Sequence, residues 1–132
     1  MVFEESVTLA QPFDEALARV KESLAAEGFG VLTEVDMQET FDLRIGKDID
    51  RFVILGACNP QLASRALDVE PQLGVLLPCN VVVRESSAGV CVEAMDPGVM
   101  ITLAGRDELR PIVDDARKLI GDALDRLLPA AA

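Results

Sequence analysis

The chain has 132 residues, 50% of them hydrophobic and 27% charged, enough apolar material for one ordinary domain and too much for a disordered segment. Its formal charge of -11 sets up a negative field that repels phosphate backbones and anionic lipid; Trp and Tyr are absent, so nucleic acid and membrane surfaces are excluded as expected partners. Histidine is absent too, which eliminates Cys-His and Ser-His nucleophile pairs and the imidazole ligands common at zinc.

Val2 to Leu9 alternates, with Phe3, Val7 and Leu9 on one face, and predicts a half-buried first strand. Pro12 suits a first helical turn, Asp14 and Glu15 favour its positive end, and Phe13, Leu17, Val20 and Leu24 form one stripe up to a stop at Gly28. Phe29 to Val35 alternates again. Asp36 with Glu39 then starts a short helix carrying Met37, Phe41 and Ile45 before Gly46. Past a charged turn, Arg51 to Cys58 is apolar on both faces and reads as an interior strand. Asn59 caps and Pro60 opens the next helix, which turns Leu62, Ala63, Ala66 and Leu67 inward and ends by Glu70, because the residue before Pro71 is pushed out of helical geometry.

Val75 to Glu85 reads as another strand, interrupted by Pro78, which marks a bulge or an edge. Ser86 to Gly89 turns the chain into a strand from Val90 to Met95, and Asp96-Pro97 repeats the cap-and-open pattern for a short helical piece through Met100. A final helix runs from about Asp107 to Leu128 with Leu109, Ile112, Val113, Ile120 and Leu124 at helical spacing; Pro129 and three alanines form a frayed tail. The predicted fold is a single α+β domain over 1–132 with its core in about 3–128: one layer of antiparallel-rich, mixed sheet of about five strands with helices packed on it, in the order β-α-β-α-β-α-β-β-α. Acids at the amino terminus, the short apolar runs and an odd count of three cysteines point to a reducing, cytoplasmic setting.

Two Cys-Asn steps, Cys58-Asn59 and Cys79-Asn80, carry the candidate chemistry. Cys58 stands one residue before a helix cap, where free N–H groups favour a thiolate; the plainer alternative is a small buried hydrophobe ending an interior strand. A hairpin closing near Ser87-Ala88 puts Cys79 and Asn80 opposite Met95 and Asp96, within a residue or so of register. Asn80 and Glu93 are polar residues in apolar strands, and if buried they need partners; Asn80 equally suits the backbone freed by Pro78. Cys58 and Cys79 on neighbouring strands would make a dithiol pair, or with Met95 or Met100 a soft site of the kind that selects Cu(I). There is no C-x-x-C, however, and methionine is most often packing, so no metal site is assigned. Cys91 reads as a packed or half-exposed thiol. Gly28-x-Gly30 precedes a strand, the wrong order for phosphate binding.

At these residues the chain resembles the bacterial and archaeal domain-of-unknown-function family 302. The similar stretches are Glu27 to Glu34, Ile54 to Pro60, Ala66-Leu67, Leu76 to Val83 and Glu93 to Pro97, in the expected order over roughly Phe3 to Leu128. The resemblance implies a compact α+β domain, dimeric, with no established activity. The expected function is a non-catalytic binding module with a pocket for a small ligand, a soft metal or a redox signal, drawn from Cys58, Asn59, Cys79, Asn80, Glu93, Met95 and Asp96, its cofactor unassigned. The alternatives are a homodimeric interaction domain, and a thiol enzyme with Cys58 as nucleophile and Glu93 or Asp96 handling protons.

Overall fold

Five strands, β1 (Val7–Leu9), β2 (Gly30–Asp36), β3 (Phe52–Cys58), β4 (Cys79–Ser86) and β5 (Gly89–Ala94), pair in the spatial order β1-β5-β4-β3-β2 in the computed structural model, which describes residues 1–128. All four pairings are antiparallel, so the sheet is not mixed. The predicted tail at 129–132 lies outside the described residues. Alternation sends Val53, Leu55 and Ala57 of β3, Val81 and Val83 of β4, and Val90, Val92 and Ala94 of β5 to one buried face. The helices α1 (Phe13–Ala26) and α5 (Arg110–Asp125) cover that face with Ala16, Val20, Leu24, Ile120 and Leu124.

The local signals work where expected. Asp36 accepts a hydrogen bond from the Glu39 N–H and starts α2 (Met37–Ile45), and Asn59 accepts one from the Leu62 N–H and starts α3 (Pro60–Val69). Gly28, with φ of 83°, ends α1 in the left-handed region. The helix α4 (Val99–Ala104) extends the predicted piece after Asp96-Pro97 by a turn.

Three strand and helix bounds differ from expectation, each for a local reason. Val2 makes only a single bridge, to Met95, and regular pairing begins at Val7 because the intervening Glu4, Glu5 and Ser6 face solvent. Pro71 to Leu76 forms a 3₁₀ segment, its start fixed by the Glu70 side chain accepting from the Gln72 N–H, so β4 begins at Cys79 and not at Val75. Pro78 marks neither a bulge nor an edge: β4 is interior, and the proline stands just before its first ladder residue, where its missing N–H costs no sheet bond. The last helix opens with a 3₁₀ turn at Asp107–Leu109 and becomes regular at Arg110, with Pro111 in its first turn.

A second apolar cluster lies beside the sheet core. Ala66 of α3, Leu73, Met100 of α4, Leu109, and Ile112 and Val113 of α5 form it, so α5 joins both clusters along its length. Two segments crowd β3 at Gly56. A Cβ there would overlap Thr33 Oγ1 and lie 2.8 Å from Pro78 Cγ, so β2 and the entrance to β4 close on β3 only over a glycine. Gly56→Ala is expected to destabilise the domain by roughly 1–3 kcal/mol through overpacking, read as a lower urea midpoint. Thr33→Ala should restore part of the loss and not all, since the proline ring stays; an unchanged midpoint in Gly56→Ala would contradict the crowding.

Candidate functional site

Ala57 and Cys79 face each other across β3 and β4, and this register brings Cys79 beside Cys58, the last residue of β3. Both cysteines wall one cavity of about 40 Å³. Phe29 and Ala57 of the sheet core line it on one side, and Ala66, Met100 and Val113 of the satellite cluster on the other. The cavity therefore sits on the seam between the two apolar clusters. No carboxylate is among its lining residues.

Asn59 lines the same cavity, but its amide is occupied. Its Oδ1 accepts from the Leu62 N–H at 3.3 Å and its Nδ2 donates to the Glu27 carbonyl at 3.5 Å. Gly28 leaves room for that second bond, since a Cβ there would sit 3.1 Å from Nδ2. Asn59 is a helix cap that ties α3 to the end of α1.

The other predicted site residues do not join this cavity. Asn80 and Met95 are bonded neighbours, with the Met95 N–H donating to the Asn80 carbonyl at 3.0 Å, and both border the opposite face of the sheet beside Val82 and Glu93. Met95 also packs against the satellite cluster. Alternation is the cause: Cys79 shares the face of Val81 and Val83, so Asn80 must take the other. Glu93 is not an orphaned polar group. It accepts from Arg84 Nε at 2.7 Å on that open face. Asp96 takes the Gly98 N–H at 2.8 Å and pairs with Arg117 of α5, closing the turn that leads into α4. Arg84 and Glu93 lie diagonally across the hairpin and were readable from its register, whereas nothing local announced Arg117.

Over residues 5–127 the chain matches the family model described as Domain of unknown function DUF302. The chain belongs to the DUF302 family. A similar solved protein is the uncharacterized conserved protein DUF302 from Bacillus stearothermophilus, whose crystal structure agrees at a TM-score of 0.87 and 30% sequence identity, over 96% of this chain and 98% of that one. No curated protein matches the chain. The DUF302 resemblance read from the Cys-Asn and Asp-Pro stretches thus holds, as does the α+β fold it implied.

In this DUF302 domain Cys79 and Asp96 are shifted in opposite directions. Burial, then the neighbouring Cys58, push the Cys79 thiol up to about 11. Burial also pushes Asp96 up, but the Gly98 N–H and the Arg117 guanidinium outweigh it and hold the carboxyl below its usual range. Burial, then Glu93, raise Cys91, with Arg84 opposing. Among the described residues no group of three or more Cys, Asp or Glu is placed to hold a metal ion, and no helix is long and apolar enough to cross a membrane.

The folded state holds the Cys79 proton more tightly than the unfolded chain does. That contribution to stability is complete below the ordinary thiol range and is lost as pH rises toward about 11. Mass-spectrometric footprinting with iodoacetamide near pH 8 should therefore label Cys79 slowly in the native state and at an ordinary rate in urea. Rapid native labelling would contradict a half-buried thiol held protonated.

Proposed function

We propose that this domain is a non-catalytic binding module whose site is the seam cavity, and that it holds a thiophilic ion between Cys58 and Cys79. One observation carries the reading: the cysteines of the two Cys-Asn steps, distant in the chain, wall a single cavity. Its volume of about 40 Å³ is in keeping with a small occupant. A water-sized body needs roughly 10–15 Å³ and a benzene-sized one roughly 150 Å³, so the space suits a lone ion better than an organic metabolite. The thiol of Cys79, held protonated, is a poor attacking group, which weighs against a redox relay. Thiol catalysis has less support, because Glu93 and Asp96 are engaged by Arg84 and Arg117 and neither lines the cavity with Cys58. Three unpaired thiols suit a reducing compartment such as the cytoplasm.

Thermal unfolding with one equivalent of Ag(I), against Mg(II) and Mn(II) as hard controls, tests the reading. Ag(I) is expected to raise Tm in the wild type and in Cys91→Ser, and the rise should vanish in Cys58→Ser and in Cys79→Ser. No rise in the wild type, or a rise lost only with Cys91, would remove the cavity's claim.

A second reading, self-association, has its own observation. The sheet face away from the buried core carries Phe52, Ile54 and Val82 half-buried and Val35 42% exposed, an apolar strip that a second copy of the chain could cover. Sedimentation velocity at micromolar concentration should then give a dimer that Val82→Glu converts to monomer. A monomeric wild type would exclude it.

A further inference from the structure

We infer that the seam cavity is a Cu(I) site with three sulfur ligands: the thiols of Cys58 and Cys79 and the thioether of Met100. The inference deepens the reading of the cavity as a thiophile site and rests on it. Met100, the second residue of α4, is buried and lines the same cavity as the two cysteines. Every sulfur-bearing residue in that wall is one of these three. The only other polar side chain there, Asn59, already spends its oxygen on the Leu62 N–H and its nitrogen on the Glu27 carbonyl.

The donor set selects the metal by what it lacks. Mg(II) and Ca(II) need oxygen ligands, and Zn(II) takes four from thiolate, imidazole and carboxylate; the wall offers two thiols, no imidazole and no carboxylate. Soft sulfur ligands in a low-coordinate, apolar site are what monovalent copper prefers. Charge points the same way. Two thiolates around a monovalent ion leave one net negative charge in the seam, and a thioether as third ligand adds none, whereas a third thiolate would add another uncompensated charge to an apolar wall. On binding, each cysteine releases its proton to solvent, both thiolates and the thioether donate to the ion, and no atom changes oxidation state.

The test is anaerobic titration of the full chain with Cu(I) against bicinchoninate, with Zn(II) in parallel and X-ray absorption on the copper-loaded protein. The expected result is one Cu(I) per chain, surrounded by three sulfur atoms, and no comparable Zn(II) binding. Met100→Leu keeps the side-chain volume and should weaken Cu(I) roughly tenfold while removing one sulfur from the spectrum; Met95→Leu and Cys91→Ser should change neither. Circular dichroism identifies the variants that remain folded, and Cys79→Ala stands in should Cys79→Ser unfold. Undiminished affinity and sulfur count in Met100→Leu would overturn the three-sulfur set while leaving the two-thiol reading intact. A wild type that binds neither Cu(I) nor Ag(I) would remove both, and Zn(II) bound as tightly through oxygen or nitrogen would overturn the choice of metal.

Discussion

The register that sets Ala57 opposite Cys79 is the constraint from which the rest of this molecule follows. Side chains along a strand alternate between faces, so once Val81 and Val83 are committed to the helix-covered side, Cys79 goes with them and Asn80 cannot. The second Cys-Asn step is therefore split by the sheet into a seam residue and an open-face residue. The first step escapes the split because the strand ends at Cys58 and Asn59 already belongs to the cap of α3. Two dipeptides of identical sequence thus do different work, according to where each meets the end of its strand.

The cavity exists because two clusters of different construction meet there. One is a sheet face covered by helices; the other is assembled from short helices, a 3₁₀ segment and the first half of α5. At roughly 24 cal/mol per Å³, a void of about 40 Å³ costs about 1 kcal/mol. That is small enough for an ordinary packing defect, so its volume alone argues nothing about function. What sets it apart is its lining, in which Cys58, Cys79 and Met100 stand among residues that are otherwise almost all hydrocarbon.

Short-range signals were legible in the sequence because their physics is short-range. The Asp36 and Asn59 caps, the interior character of β3 and the hairpin turn at Ser86 to Gly89 each depend on residues within a few positions of one another. The stretch before β4 misled because apolar content does not distinguish strand from 3₁₀ helix: Val75 sits at 89% exposure in a segment read as strand. The convergence of Cys58 with Cys79 was legible as a conditional, dependent on neighbouring strands, and β3 and β4 are neighbours. The separation of Glu93 and Asn80 from them was hidden, because both look like buried polar groups until the face of each strand is fixed. The satellite cluster was hidden more deeply, since Ala66, Leu73 and Met100 come together only through packing distant in sequence.

Asp96 belongs to the site in a different sense from the one its sequence suggested. Its carboxylate, held ionised by Arg117 and the Gly98 N–H, fastens the end of β5 to α5 and fixes the turn from which α4 begins. Pro97 and Met100 flank that turn and both line the cavity, as does Ala116, the residue before Arg117. The clasp therefore fixes the entry to α4, the helix that carries Met100, without placing a carboxylate in the cavity wall. An ion pair at the rim and sulfur inside is a consistent arrangement, because the groups that stay ionised keep access to water while the seam holds only side chains that are neutral when free.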